Sequence, residues 1–222
     1  MDQDASPEEG FIAPEVREEL PGLRLRWAAL EGPGQTDFAA LRARLRMLSN
    51  RFDGAGVITM RTRPVDHAYR AFFRQTGLDP DVQRTPAEQA ALSRLLHGGL
   101  SARDPIHAAL LIAVVETGVG VWALDGDRVD AGGLGIRQSV EGDELGDGSH
   151  RVPVSPGRLV IADPARIHAL LFGETASGHA AGRASKRVVL FAVGVDGVPE
   201  IHLAEALWLA AEALGGGGGR RV

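Results

Sequence analysis

The run from Ala108 to Val115 constrains the fold of this chain most, because every residue in it is apolar. A segment without a polar face is stable only when other elements cover it on all sides. Its periodicity suits a buried helix or a buried strand equally well. We predict a buried helix, opened by Pro105 and Ile106. The run ends at Glu116, well short of the roughly 20 residues needed to span a bilayer, so no membrane partner is predicted.

Further helices are predicted from apolar stripes and from residues that begin and end helices. The clearest signal is Thr85, where a Thr cap, a Pro at the first helical position and Glu88 form a capping box. That helix should end near His97. Three more helices are expected. One follows Thr36 or Asp37 as its N-cap and has the apolar stripe Phe38, Leu41, Leu45 and Leu48, and a second runs from about Pro64 to Gln75. The third runs from about Glu200 to Leu214, and its core-facing residues are Leu203, Leu207, Ala210, Ala211 and Leu214.

Short apolar segments bounded by Gly, Asp or Pro indicate strands. They are Leu23–Trp27, Val119–Leu124, Gly133–Arg137, Arg158–Ala162 and Val188–Val195. Together with the helices they predict an α/β protein of the α+β type, with one domain over residues 20–214. Residues 1–19 are acidic and poor in apolar groups, and 215–222 are rich in Gly, so both are expected to be flexible tails.

Composition excludes several kinds of chemistry. The 222 residues include no Cys, which rules out disulfides, thiolate zinc sites and Cys nucleophiles. The seven His are spread singly, and no phosphate-binding loop, Gly-x-Ser-x-Gly elbow or His-Glu-x-x-His helix occurs. No metal and no cofactor is therefore predicted. The N-terminus lacks a basic start and an apolar stretch, so a cytoplasmic location is expected.

Charge is distributed unevenly along the chain. Residues 1–20 carry a net charge of -6, residues 21–103 carry +6 and residues 104–222 carry -5. The arginines of the middle segment would form a phosphate-facing surface if they share one face of the fold. Alternatively, they are scattered, solvated charges.

A series of short motifs follows in order through residues 60–195. They are Arg84-Thr-Pro-Ala-Glu-Gln-Ala-Ala-Leu-Ser-Arg-Leu-Leu, Pro105-Ile, Glu116-x-Gly, Trp122-Ala-Leu-Asp, Asp127-Arg-Val, Gly133-Leu-Gly-Ile-Arg, Glu141-Gly-Asp-Glu-Leu, Arg158-Leu-Val-Ile-Ala-Asp and Phe172-Gly-Glu. In this order and spacing they resemble the B3/B4 domain of the phenylalanyl-tRNA synthetase β subunit, and most of all its freestanding relatives. The resemblance implies a B3/B4-like mixed sheet flanked by helices.

In the synthetase this domain hydrolyses mischarged tyrosyl-tRNA, so the resemblance implies a cleft for an aminoacyl ester. Glu174 matches the family's glutamate in a Gly-Gly-Glu turn, beside Gly173, and is the candidate catalytic residue. The editing His of the family is replaced by Trp122, and its Thr-Asn pair by Leu110 and Leu111. A pocket lined by these three side chains would suit an apolar or aromatic moiety and would not select a hydroxyl group.

Two further residues and a set of cations complete the predicted site. Asp125 and Arg137 are expected to support the substrate, or alternatively to cap a loop and form an ion pair. The segment from Ala176 to Arg187 is interpreted as a mobile loop. Candidate tRNA contacts are Arg42, Arg44, Arg46, Arg70, Arg74, Arg183, Lys186 and Arg187.

Three functions are compatible with these residues. The first is a trans-acting aminoacyl-tRNA deacylase, in which Glu174 positions water or the substrate ammonium group. The second is a non-catalytic module that binds tRNA or an amino acid in the same cleft, favoured by the loss of the polar editing residues. The third is a different hydrolase that uses His107, His168 or His179 as a base.

Overall fold

A computed structural model describes residues 7–32, 36–50, 60, 62–148 and 151–215. These residues form an α+β fold, which confirms the predicted class. Its helices are α1 Pro14–Glu19, α2 Phe38–Ser49, α3 Pro64–Gln75, α4 Pro86–His97, α5 Pro105–Thr117 and α6 Glu200–Ala213. Its strands are β1 Glu8–Glu9, β2 Phe11–Ile12, β3 Arg24–Glu31, β4 Val121–Asp125, β5 Gly135–Gln138, β6 Glu144–Leu145, β7 Val152–Pro153, β8 Leu159–Ala162, β9 Ile167–Leu170 and β10 Arg187–Gly194.

The strands form two sheets, whereas the sequence predicted one mixed sheet. The first sheet is antiparallel in the order β1–β3–β10–β4, and β10 pairs along its whole length with β3. The second sheet is mixed, in the order β2–β5–β8–β9–β6–β7, with parallel pairs β2–β5 and β6–β9. Strands β1, β2, β6, β7 and β9 had no sequence prediction, and the first four of them are only two residues long, which leaves no periodic signal.

Helix α5 lies between two apolar clusters, which explains its lack of a polar face. Ala109 and Ala113 pack into the cluster formed by the first sheet, α3 and α6. Ala108 and Ile112 pack into the cluster formed by α2, α4 and α5. The predicted buried helix is therefore confirmed, and it joins the two halves of the core.

Local signals position the other long helices as the sequence predicted. Asp37 accepts hydrogen bonds from two amides at the start of α2, and Thr85 and Glu88 form the capping box of α4. Gly98 adopts the left-handed conformation that ends α4, with a φ of 73°. Among the described residues, none of the helices is both long and apolar enough to cross a bilayer.

The prediction of a flexible tail is wrong for residues 7–19. Strand β1 pairs with β3, β2 pairs with β5, and α1 buries Val16 completely. The acidic residues of this segment face solvent while a few apolar side chains enter the core, so its average composition was misleading. Residues 1–6 and 216–222 of the predicted tails lie outside the described part of the chain.

Candidate functional site

A groove between α4 and α5 contains two of the predicted substrate-binding residues. Leu110 and Leu111 line a cavity of about 330 Å³ together with apolar atoms of Pro86, Val114 and Val121. Polar groups are few and lie at its edges; they are Gln89, Ser93, Ser101 and His107. An apolar cavity with a small number of polar groups is the usual form of a small-molecule site.

His107 gives this groove a neutral imidazole at its rim. Burial, with the nearby Arg103 guanidinium, lowers the pKa of His107, against the opposing effect of Asp104. The Arg103 amide lies 3.5 Å from Nδ1 of His107 and favours the tautomer that carries its proton on Nε2. The imidazole can then donate a hydrogen bond to a bound molecule, and in this tautomer Nε2 is not a base.

Trp122 does not line the groove with Leu110 and Leu111, contrary to the prediction that the three share one pocket. Its indole stacks on Phe191, with ring centroids 5.5 Å apart and an interplanar angle of 14°. The ring also lies against Gly120, where an added Cβ would stand 2.6 Å from the indole. A Cβ at Gly120 would also stand 2.7 Å from Pro86, which lines the groove. Gly120 therefore lies in close contact with both the indole and this wall of the groove.

Phe172 contacts Trp122 edge-on and belongs to an aromatic cluster that the sequence did not reveal. Its ring meets Trp122, Tyr69, Phe72 and Phe73 at centroid distances of 5.1–5.7 Å. The backbone of Phe172 has a φ of 55°, a conformation that bulky residues seldom adopt. The aromatic contacts offset this strain and fix the turn that follows β9.

Glu174 and Gly173 belong to that turn and not to the groove. The backbone carbonyl of Glu174 accepts from the Leu170 amide, while its side chain is exposed and forms no hydrogen bond or ion pair with a described residue. A Cβ on Gly173 would stand 2.8 Å from that of Leu170, so glycine is needed there for packing. The predicted catalytic carboxylate therefore does not face the cavity lined by Leu110 and Leu111.

Asp125 and Arg137 both make structural interactions, as the alternative interpretation proposed. Asp125 accepts hydrogen bonds from the Asp127 amide and the Ser185 hydroxyl. Arg137 forms a bidentate pair with Asp143, at 2.6 and 3.1 Å, and this bond holds the pKa of Asp143 below its usual range. Neither residue lines the α4–α5 groove.

The predicted tRNA contacts do not form one set. Arg70 is only 5% exposed and is bound to Glu88 and Asp81, so its assignment to a phosphate-facing surface is wrong. Arg44 is partly buried and lies within 4 Å of Glu116 and Glu212. The remaining six are exposed and have no ion pair with a described residue; they are Arg42, Arg46, Arg74, Arg183, Lys186 and Arg187.

The segment from Ala176 to Arg187 is anchored, and the prediction of a mobile loop is not supported. Its residue Ala180 bridges to Leu124 of β4, and the amide of Ala181 donates to the carbonyl of Ala123. His179 within it is completely buried. The segment packs against the edge of the first sheet, and its three cations are among its exposed residues.

A second and larger cavity, the charged cleft, lies at one end of the second sheet. It has a volume of about 720 Å³. Its charged lining consists of Arg137, Asp143, Glu144, Asp147, Arg151, Asp163 and Arg166. Three ion pairs cross this lining: Arg137–Asp143 at 2.6 Å, Arg151–Glu144 at 3.1 Å and Arg166–Asp147 at 3.4 Å.

Two buried imidazoles stand behind the charged cleft. Nε2 of His168 lies 2.9 Å from Oδ2 of Asp163, and the Nδ1 atoms of His168 and His179 are 3.0 Å apart. Burial lowers the pKa of His168, against the opposing effect of Asp163. Burial also acts to raise the pKa of Asp163, but hydrogen bonds from the Asp130 amide and His168 outweigh it and the pKa is lowered. The sequence named both histidines singly, and nothing in their spacing indicated that they meet.

The described residues contain no group of three or more His, Cys, Asp or Glu placed to hold a metal ion. Models of known protein families and the curated proteins contain no significant match to this sequence. The geometry of the groove and the charged cleft is thus the basis for any assignment of function.

Proposed function

We propose that this chain is a binding module for an apolar or aromatic amino-acid moiety, held in the groove between α4 and α5. The proposal includes the B3/B4-like identity suggested by the motifs and a cytoplasmic location. In this view the domain has kept an aminoacyl-binding groove and has given up the editing reaction. The supporting observation is that Leu110 and Leu111, at the positions of the family's polar Thr-Asn pair, both line this cavity.

The size and chemistry of the groove support this ligand class. Its volume of about 330 Å³ lies at the lower end of the range for small-molecule sites, about 300–1,000 Å³. Burying an apolar side chain there would contribute about 1.5–3 kcal/mol. The polar groups at the edges, His107 Nε2 and the hydroxyl groups of Ser93 and Ser101, are available to bind the carboxylate or ester end.

The surroundings of Trp122 support the proposed loss of the editing chemistry. Its indole stacks on Phe191 and meets Phe172 edge-on, so both contacts are with apolar rings. Glu174, the remaining editing-type residue, is exposed on the turn after β9 and is not among the groove residues. A bound ester would therefore lie beside apolar surfaces on the side where the family places its histidine.

Titration calorimetry with L-phenylalanine, L-leucine and L-tyrosine tests this proposal. We expect phenylalanine or leucine to bind, and the double variant Leu110→Thr/Leu111→Asn to weaken binding about tenfold or more, because it removes apolar contact area. Leu96→Asn, an exposed position on α4 outside the groove, is the matched control and should bind like the wild type. Preference for tyrosine, or equal binding by the double variant, would contradict the proposal.

Hydrolysis of a mischarged aminoacyl-tRNA is the second candidate function. It is favoured by the exposed carboxylate of Glu174, which has no ion pair with a described residue, and by the exposed cations Arg183, Lys186 and Arg187. Water or the terminal ribose hydroxyl would attack the ester, with the carboxylate as the positioning group. A panel of radiolabelled mischarged tRNAs, incubated with the wild type and Glu174→Ala, separates the two functions. Loss of label that requires Glu174 would favour the deacylase, and retention of label on every tRNA would favour the binding module.

A further inference from the structure

The charged cleft contains ion pairs in which a charged group of a ligand could replace one of the two side chains. Arg151 and Glu144 are 56% and 41% exposed at their side chains, and Arg166 and Asp147 are 41% and 38% exposed. Exposed pairs of this kind contribute little to stability, so replacing one partner with a ligand group costs little. Arg137–Asp143 is bidentate and more buried, and it forms a fixed wall.

The buried histidine pair supplies an independent observation at the same cleft. Nε2 of His179 is buried and lies 3.4 Å from Oδ2 of Asp147, which is long for a hydrogen bond. Among the described residues, no shorter hydrogen bond satisfies this nitrogen. Asp147 itself lines the cleft, so the nitrogen faces the cleft wall.

The protonation states of the pair follow from its partners. Neutral His168 donates its Nε2 proton to Asp163, which leaves a lone pair on Nδ1. The proton of the bond between the two Nδ1 atoms therefore belongs to His179. Nε2 of His179 is then the nitrogen of this pair that faces the carboxylate of Asp147.

We propose that the charged cleft is a second binding site, for a small molecule that carries both an ammonium and an anionic group. The ammonium group pairs with Asp147 and Glu144, and the anionic group pairs with Arg166 and Arg151. This inference does not depend on the groove between α4 and α5 or on the function proposed for it.

A ligand with both charges fits the cleft better than a simple ion. Each rim arginine has an acid within 3.4 Å, so an anion alone would displace that acid. Glu144 would then lose its cation, whereas Asp147 would keep Arg128 at 2.9 Å. A cation alone would leave an arginine unpaired in the same way. A zwitterion exchanges both partners of a pair at once and keeps the local charge balanced.

The carboxylate of Asp147 is held in its charged form. Burial acts to raise the pKa of Asp147, but His179, Arg128 and Arg166 together lower it below its usual range. The two arginines lie 2.9 and 3.4 Å from this carboxylate. Asp147 is therefore available to pair with an ammonium group near neutral pH.

Isothermal titration with L-glutamate, L-lysine and the dipeptide Lys-Glu tests the site in the full-length protein. Acetate and n-butylamine serve as probes with one charge each. We expect at least one zwitterion to bind more tightly than both single-charge probes. Asp147→Asn and Arg166→Gln should each weaken that binding about tenfold or more. Asp127→Asn and Arg158→Gln make the same charge changes at exposed positions outside the cleft and should have no effect.

Lack of binding by all three zwitterions, tighter binding of acetate or n-butylamine, or unchanged affinity in Asp147→Asn and Arg166→Gln would overturn the proposal.

Discussion

Asp66 is a buried carboxylic acid whose ionisation opposes folding. Its side chain lies between α3 and α4, where Oδ1 accepts a hydrogen bond from the Thr85 hydroxyl at 3.2 Å. Burial raises the pKa of Asp66 to about 6; the Thr85 hydrogen bond opposes this and the nearby Glu88 adds to it. Because the pKa of the folded state lies above that of the unfolded chain, this group favours folding at low pH and the advantage is lost as pH rises through about 6.

We expect Asp66→Asn to change the pH dependence of stability. The variant should gain about 2–3 kcal/mol relative to the wild type between pH 4 and pH 7, because it carries no charge that must be desolvated. Urea unfolding at several pH values measures this difference. Asp127→Asn, at an exposed turn, is the control and should track the wild type. A constant difference between Asp66→Asn and the wild type at all pH values would refute the assignment.

At the scale of elements, α3 and α4 are joined by a buried ionic network around Arg70. Its guanidinium lies 3.0 Å from Glu88, 2.8 Å from Asp81 and 3.2 Å from the carbonyl of Pro80. Glu88 also closes the capping box of α4, so one carboxylate serves both the helix end and the contact between helices. A sequence pattern of separate arginines cannot indicate this, since Arg70 and Glu88 are 18 positions apart.

Removal of Arg70 should therefore reduce stability. We predict that Arg70→Ala costs about 3–5 kcal/mol of unfolding free energy, because it leaves Glu88 buried without its cation. Arg74→Ala, one turn later on the exposed side of α3, should change stability by less than about 0.5 kcal/mol. Urea denaturation of both variants gives the comparison. Similar losses for the two would show that the network contributes no more than a solvated charge.

At the scale of the whole molecule, Arg183, Lys186 and Arg187 are the predicted tRNA contacts that are exposed within one short segment. The triple variant Arg183→Ala/Lys186→Ala/Arg187→Ala should weaken tRNA binding and reduce the slope of log affinity against log salt by about 2–3, as three phosphate contacts are lost. Filter binding across a salt series measures both quantities. The double variant Arg17→Ala/Arg158→Ala removes exposed cations elsewhere and is the control. Identical affinity and slope in the triple variant would exclude this surface as a tRNA contact.

The division into two sheets also belongs to the scale of the molecule. The sequence predicted five of the strands, namely β3, β4, β5, β8 and β10. It did not predict that they divide between an antiparallel sheet and a mixed sheet. Strand segments reveal which face is apolar, but their partners depend on contacts between distant residues. The second sheet in particular is completed by two-residue strands that leave almost no periodic signal.

The sequence alone determined the long helices and the central strands of this protein. Caps such as Asp37 and Thr85, and the uniformly apolar run of α5, act over a few residues and can be recognised locally. Only the tertiary structure decided that Arg70 is buried, that Trp122 and Glu174 lie outside the groove of Leu110 and Leu111, and that His168 and His179 meet behind the charged cleft. Burial and side-chain pairing depend on how distant segments pack together, and local sequence patterns do not contain that information.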